Sequence, residues 1–240
     1  MRAHFLYRAY RARYFRQAGE IRALGAILRR GDVALDVGAH KGRYVYWMRR
    51  AVGPDGRVVA FEPQPRLAAY LRTATQRMGW RNVDVRQSAV GDAVGTAVLH
   101  VPGEAGVSAG ASLDSAAYAD GSRLHVECAV TTLDREAEGV GRVALLKVDV
   151  EGHEWQVFHG AERLVRRDAP ALLFECETRH LRHHTMADVF RYLEGLGYEG
   201  RFFSPVRLRP LAEFDPAIHQ AERPRPPGPY CNNFLFTPLR

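Results

Sequence analysis

The sequence has few cysteines and no long apolar segment. Its three cysteines, Cys128, Cys176 and Cys231, lie far apart in a chain of 240 residues. This spacing does not match a metal site, so we expect reduced, buried thiols. No apolar run approaches the ~20 residues of a membrane-spanning helix. The N-terminus is basic but has no continuous apolar core, which argues against a secretory signal and favours a cytoplasmic location.

Lysine is also scarce, although the chain is basic. Lys41 and Lys147 are the only lysines, and arginine gives a net charge of +7. Much of the excess lies in residues 1–30, where Arg alternates with Tyr, Phe and Leu. We therefore divide the chain into a basic helical extension, 1–30, and one large domain, 31–240. The extension either packs its aromatic side on the domain or makes a weak contact with an anionic membrane surface.

Residues 33–62 contain the most informative pattern. An apolar run ends in a turn with glycines at 38 and 42, a helix-period segment follows, and a second apolar run ends in Glu62. Glycines let the backbone approach a ligand closely, and the following helix N-terminus suits an anionic group. Glu62 follows Gly38 by 24 residues, near the ~20 expected for an acid that binds a ribose diol. The G-x-x-x-G spacing favours a nucleoside-type cofactor over a dinucleotide.

Strands and helices alternate along the rest of the chain. We expect further helices at 20–29, 65–78, 154–165 and 185–196, and strands at 83–90, 95–101, 124–134, 143–150, 171–174, 198–204 and 233–237. This order indicates an α/β three-layer sandwich whose mostly parallel sheet ends in an antiparallel strand. Two weakly patterned segments remain. Residues 102–123 are expected to form a mobile loop near the ligand, and 205–230 to be irregular.

Acids follow four of the five predicted parallel strands. The strand-end positions are Asp36 and Gly38, Glu62 and Pro63, Ser88 and Ala89, Asp149 to His153, and Glu175 to Glu177. In such sheets the ligand lies outside the carboxyl ends of the strands. Acids gathered at one edge repel one another, so a cationic or polyhydroxylated ligand explains them better than folding does.

Several motifs resemble those of the FkbM-type S-adenosylmethionine-dependent methyltransferases. They are DVGAHKGRY, VVAFEP, SAVGD, TTLD and LLKVDVEGHE. The resemblance implies a class I methyltransferase, Rossmann-like fold and S-adenosylmethionine as cofactor. His40 departs from the family, which usually has Asn at this position.

The resemblance also implies roles for individual residues. Asp36 and the Gly38–Gly42 turn, which includes Ala39 and His40, would hold the methionyl part of the cofactor, and Glu62 its ribose. Ser88 and Ala89 would border the adenine, with Val90 as an apolar wall. Asp149 would lie beside the methionyl amine or the reacting centre. We assign Tyr44 and Pro63 to the same cofactor site.

Methyl transfer to an alcohol needs a group that takes the hydroxyl proton. His153 is the first candidate because it follows the fourth strand and titrates in the useful range. Glu151 and Glu175 are alternatives, with Asp149 beside them. These four residues could instead hold a divalent cation that polarises a diol. The sequence has no compact ligand motif, so we predict no metal. A second group, His180, His183 and His184, could serve a metal or the substrate, or lie in a solvated loop.

The leading functional hypothesis is O-methylation of a small hydroxylated acceptor, namely a sugar, glycolipid or secondary metabolite. The fourth strand ends in Asp-Val-Glu-Gly, and it lacks the Asn/Asp-Pro-Pro-aromatic turn that resembles amine and base methyltransferases. An RNA or protein methyltransferase is the alternative suggested by basic charge, although a nucleic-acid partner is not expected. A nicotinamide-dependent oxidoreductase and a cofactor-free binding module are less favoured because the glycine spacing and the acids fit a methyltransferase.

Overall fold

The first strand of the sheet is buried along its whole length. All five residues of Val33–Val37 are buried, and the strand pairs in parallel with a neighbour on each side. Apolar β-branched and leucine side chains on both faces are typical of a central parallel strand covered by helices. In the computed structural model, residues 2–12, 14, 17–103, 106–114, 123–204, 207–221 and 230–239 are described.

The described residues form helices and strands that alternate for most of the chain. The helices are α1 Arg2–Arg11, α2 Ala18–Ile27, α3 Arg43–Val52, α4 Pro65–Arg77, α5 Leu133–Glu136, α6 Glu154–His159, α7 Glu162–Asp168, α8 Met186–Gly195 and α9 Pro216–His219. The strands are β1 Val33–Val37, β2 Arg57–Phe61, β3 Val83–Arg86, β4 Ala89–Val90, β5 Gly95–Pro102, β6 Arg123–Thr131, β7 Val143–Val148, β8 Ala171–Glu175, β9 Tyr198–Ser204, β10 Arg207–Pro210 and β11 Asn233–Pro238.

The main sheet has eight strands in the order β10-β9-β11-β8-β7-β1-β2-β3. Strands β3, β2, β1, β7 and β8 are parallel, whereas β11 lies antiparallel between β8 and β9. Side chains of β1 alternate between two cores: Leu35 packs with α6, α7 and α8, and Ala34 packs with α1 to α4. The predicted three-layer α/β fold with an antiparallel last strand is therefore confirmed.

One predicted strand is divided between the main sheet and a second, three-stranded sheet. The segment 83–90 was expected to be continuous, but β3 stays in the main sheet and β4 pairs with β6 in the order β4-β6-β5. The two residues between them, Gln87 and Ser88, turn the chain from one sheet to the other. Alternation of apolar and polar residues runs through this turn, so it gives no sign of the break.

Two other expectations about local structure also change. The helix predicted over 154–165 is two helices, α6 and α7, which are separated at Gly160 and Ala161. At this break Gly160 packs so closely on Gly91 that a Cβ would overlap the Gly91 carbonyl oxygen. The segment 205–230 was expected to be irregular, but it contains β10, a 3₁₀ turn at Leu211–Glu213 and α9. Parts of both weakly patterned segments, 104–105, 115–122, 205–206 and 222–229, lie outside the described residues.

The N-terminal helices pack on the domain through their apolar faces. Phe5 of α1 is 2% exposed and contacts the rings of Tyr46, Tyr70 and Trp80. The indole N–H of Trp47 donates to the Ala9 carbonyl at 2.9 Å. The boundary between extension and domain at residue 30 stays a prediction. Among the described residues no helix combines the length and the apolar character needed to cross a membrane. The three cysteines are buried, as expected, and none of them forms a disulfide bond.

Replacing Phe5 with Ala should lower the free energy of unfolding by about 3 kcal/mol, because a buried aromatic ring is lost and a cavity remains. Urea unfolding followed by tryptophan fluorescence measures this change. The matched control is Tyr7→Ala on the same helix, where the side chain is 61% exposed. Equal, small effects of the two changes would show that α1 adds nothing to the stability of the domain.

Candidate active site

The turn after β1 forms where three strand ends meet. Gly38 has φ of +80°, and a Cβ on it would overlap the carbonyl oxygen of Asp149 at the end of β7. The N–H groups of Gly38 and Ala39 both donate to the Phe61 carbonyl at the end of β2, at 3.0 Å. Only glycine allows this close approach in this backbone conformation. The turn therefore brings Asp149 and the residue after β2, Glu62, to one place.

Glu62 is buried at this meeting point. Its Oε2 accepts from the backbone N–H of His40 at 2.6 Å, and its Oε1 accepts from that of Gln64 at 2.9 Å. The residue is 2% exposed. Burial raises the pKa of Glu62 to about 7, although the two backbone hydrogen bonds oppose the shift. Each carboxylate oxygen can accept a further hydrogen bond, so two hydroxyls of a ligand could be bound here.

A narrow apolar cavity opens beside Glu62. Its wall is formed largely by apolar side chains from the main sheet, the second sheet and the loop after β5, including Phe61, Val90, Leu99, Ala111 and Leu113. Gln64 fixes part of that loop, because its side-chain amide exchanges hydrogen bonds of 2.9 Å with the backbone N–H and carbonyl of Ser108. A narrow, apolar space with one buried acid suits a nucleoside.

A larger polar cavity adjoins the first. Five carboxyl side chains border it, namely those of Glu20, Asp149, Glu151, Glu175 and Glu177. Amide side chains of Gln17, Asn232 and Asn233 and the guanidinium groups of Arg43 and Arg179 complete most of its polar lining. Gly38, His40, Ala109, Asp149 and Glu151 line both cavities, so these meet at the ends of β1 and β7.

A buried lysine lies behind the turn. Lys147 is fully buried, and its ammonium contacts the Val148 carbonyl at 3.0 Å and Asp149 Oδ2 at 3.4 Å. It also lies 4.9 Å from the ring centre of Tyr44. In the next strand Asp36 pairs with Lys147 in register. Burial raises the pKa of Asp36 to about 7, and the lysine charge opposes this shift.

The three predicted catalytic carboxyl groups are close together. One oxygen from each of Asp149, Glu151 and Glu175 lies within 4.8 Å of the other two. Burial, followed by the charge of Asp149 and a hydrogen bond with Glu177, raises the pKa of Glu175 to about 10. Glu175 therefore carries a proton at neutral pH.

Glu151 has a histidine partner. His180 Nδ1 lies 2.8 Å from Glu151 Oε2. Burial alone would lower the pKa of His180, but the bond to Glu151 raises it. The approach is possible because Gly152, with φ of +101°, leaves no Cβ to overlap the His180 carbonyl.

His153 lies away from this carboxyl group cluster. It lines the apolar cavity and a third cavity that also contains Asp114 and Trp155, but it does not line the polar cavity. Burial lowers its pKa, with Asp92 and Asp114 opposing the shift, so the imidazole is neutral at pH 7. The structure thus brings Asp149, Glu151 and Glu175 together and does not bring His153 to them.

The family assignment follows from a sequence comparison. Residues 36–199 match the model of the methyltransferase FkbM domain, which is more than half of the chain. The chain belongs to this family. The match confirms the family inferred from the motifs, and S-adenosylmethionine is the expected cofactor.

Solved structures share the fold of this FkbM-family chain at low sequence identity. The FkbM methyltransferase structure from Methylobacillus flagellatus KT is 16% identical with a TM-score of 0.55, covering 95% of this chain and 47% of that one. A SAM-dependent methyltransferase from Aquifex aeolicus is 16% identical with a TM-score of 0.50, covering 95% and 91%. At these identities the likeness shows the fold alone.

One curated relative shares a short segment with the chain. It is a protein-L-isoaspartate O-methyltransferase from Ignicoccus hospitalis, 42% identical over 60 residues, which are 25% of this chain and 28% of the relative. The chain thus spans less than two thirds of this relative and of the Methylobacillus structure.

The structure separates the predicted cofactor residues of this FkbM-family domain into two groups. Those that line the apolar cavity are Gly38, His40, Glu62, Pro63, Ser88, Ala89, Val90 and Asp149. Those that line neither of the two cavities are Asp36, Ala39, Gly42 and Tyr44. Asp36 lies behind the turn near Lys147, and Gly42 packs against Phe5 and Leu71. These four residues support the turn rather than border a cavity, and their role in cofactor binding stays a prediction.

Sequence reasoning missed several residues that border the cavities. In the apolar cavity they include Gln64 and Leu99. Ala109, Ala111 and Leu113 also line this cavity, and they lie in the segment 102–123 that was expected near the ligand without being assigned individually. In the polar cavity they include Gln17, Glu20, Arg43, Tyr230, Asn232 and Asn233. No spacing rule connects these positions with the strand ends.

Replacing Glu62 with Gln should weaken binding of S-adenosylhomocysteine by about 1–3 kcal/mol, because charge-assisted hydrogen bonds to the ligand are lost. Isothermal titration calorimetry measures the affinity. Glu127→Gln, on the exposed surface of β6, removes the same charge elsewhere and should bind normally. Unchanged affinity of the Glu62 variant would remove this residue from the site.

Proposed function

We propose that the chain is an S-adenosylmethionine-dependent O-methyltransferase that acts on a hydroxyl of a small polyhydroxylated acceptor, namely a sugar, glycolipid or secondary metabolite. The observation that carries the proposal is the polar cavity. It is bordered by carboxyl and amide side chains and meets the apolar cavity at Asp149 and Glu151. A nucleoside space and an acceptor space are therefore adjacent at the strand ends, where ligands of such sheets bind.

The residues of the apolar cavity fit the nucleoside part of the cofactor. Glu62 would accept hydrogen bonds from the ribose hydroxyls, and Ser88, Ala89 and Val90 would flank the adenine. When bound, S-adenosylmethionine supplies a methyl group already activated by a sulfonium. The protein then has to position the acceptor oxygen and receive its proton. Gly38, Asp149 and Glu151 border both cavities and would line the passage between them.

The polar cavity fits an acceptor rich in hydroxyl groups. Carboxylate and amide oxygens accept hydrogen bonds from hydroxyls, and amide N–H groups donate to them. The Asn232 amide is already held by hydrogen bonds to Glu175 at 2.7 Å and Glu177 at 2.8 Å, which fixes this wall. A polyanion such as RNA is disfavoured here, because the four bordering carboxyl groups other than Glu175 outnumber the two guanidinium groups of Arg43 and Arg179. This supports a small neutral acceptor over nucleic acid.

Glu151 is the best placed group to take the hydroxyl proton. It borders both cavities, and His180 orients its carboxylate. Glu175 carries a proton at neutral pH, so it can donate a hydrogen bond but cannot act as a base. His153 is neutral but does not line the polar cavity. Proton transfer needs a base within hydrogen-bond reach, so geometry favours Glu151 over His153.

The function can be tested with S-adenosylmethionine carrying a tritiated methyl group. The acceptors are a set of glycosides and glycolipids, total RNA and an isoaspartyl peptide. We expect label in hydroxylated acceptors, in a form that resists mild alkali as a methyl ether does. Label that mild alkali releases would indicate a methyl ester on a carboxyl group, and label only in RNA would indicate a nucleic-acid substrate. Either result would contradict the proposal.

Replacing Glu151 with Gln should lower turnover by about 10²–10⁴-fold, because the proton acceptor is lost. Replacing His153 with Ala should lower it by less than about tenfold. Both variants should keep their affinity for S-adenosylhomocysteine, measured by calorimetry. A large loss in the His153 variant with a nearly normal Glu151 variant would restore His153 as the base.

A further inference from the structure

A glutamate from the N-terminal helices faces the polar cavity. Glu20 lies in α2, outside the residues 36–199 that match the family model. It is 4% exposed, and its Oε2 is buried without a hydrogen-bond partner among the described residues. A buried carboxylate oxygen without a partner is costly to the folded protein. Because Glu20 also borders the cavity, a ligand there could supply the missing donor.

Two further oxygens on the same cavity share this condition. Gln17 Oε1, one helical turn before Glu20, and Asn233 Oδ1, at the start of β11, are buried and have no partner among the described residues. All three atoms are acceptors. The chemistry that satisfies them is a group with several N–H or O–H donors, and a primary ammonium offers three.

A cation borders the cavity beside Glu20. Arg43 is the first residue of the ten-residue helix α3. It forms no hydrogen bond or ion pair with the part of the chain that the structure describes, although its charge lowers the pKa of Glu20 against the dominant effect of burial. The positive end of the helix dipole adds to its charge. Arg43 therefore suits a carboxylate, and a guanidinium binds a carboxylate through paired hydrogen bonds.

We propose that Glu20 and Arg43 together bind the zwitterionic amino-acid end of the cofactor, with Glu20 receiving the ammonium and Arg43 the carboxylate. This rests on the proposed function only in that S-adenosylmethionine is the cofactor. The assignment replaces Asp36, which lies behind the turn, as the acid that serves the methionyl end. It also makes helix α2, which lies before the family-matched region, a part of the binding site.

The test compares two ligands that differ only at the end in question. S-adenosylhomocysteine carries the amino-acid end, and 5′-methylthioadenosine has the same thioether nucleoside without it. Calorimetry gives both dissociation constants for the intact chain and for Glu20→Gln, which keeps the side-chain shape. We expect Glu20→Gln to weaken S-adenosylhomocysteine about 10- to 100-fold and to leave 5′-methylthioadenosine within about twofold. Arg43→Gln should show the same selectivity.

Matched controls exclude a general effect of charge. Glu194→Gln, on the exposed side of α8, and Arg50→Gln, exposed on the same helix as Arg43, should bind both ligands normally. Thermal unfolding of each variant shows whether it is folded.

Each outcome decides the assignment. Equal losses for both ligands, or no loss for either, would overturn it, since Glu20 would then act on the fold or not at all. Failure of the proposed function alone gives a different result. The Glu20→Gln change would then still weaken S-adenosylhomocysteine and spare 5′-methylthioadenosine, but the unsubstituted protein would methylate no hydroxyl. Intact protein that binds neither ligand would overturn both.

Discussion

The site depends on the close approach of two strand ends at Gly38. The backbone of the turn lies against the Asp149 carbonyl, at a distance that no side chain would allow. The same turn presents the His40 N–H to Glu62. Glu62 thus fixes the turn that shapes the site, and in the proposed function its remaining acceptor capacity would bind the ribose hydroxyls. A change at either residue alters both the fold of the turn and the binding surface.

The site also concentrates buried charge that the fold alone does not balance. Lys147 is the one fully buried ammonium among the described residues, and it faces Asp149 directly while its charge acts on Asp36 and Glu20. Burial raises the pKa of Asp36, Glu62 and Glu20, which shows that each carboxylate is poorly compensated. A ligand with positive charge and hydroxyl donors would relieve this imbalance.

The two cavities come from different parts of the chain. All residues of the apolar cavity lie within the family-matched range 36–199, whereas the polar cavity also uses Glu20 before this range and Asn232 and Tyr230 after it. The wall of the polar cavity is thus built by residues inside the family-matched range together with residues on both sides of it.

The sequence by itself determined the sheet and the positions of its carboxyl ends. A short, nearly continuous apolar run such as 143–148, between polar and glycine-rich segments, is typical of a buried parallel strand. Parallel strands place their following residues at one edge, which is why Glu62 and Asp149 could be assigned to the site. The sequence could not determine where side chains point after a strand ends. Glu151 and Gly152 both adopt positive φ, and this turn sends Glu151 toward the polar cavity and His153 away from it. Nor did the sequence predict that Glu20 and Asn232 border the site. Contacts between distant segments depend on how the helices pack on the sheet, and residue spacing does not reveal that packing.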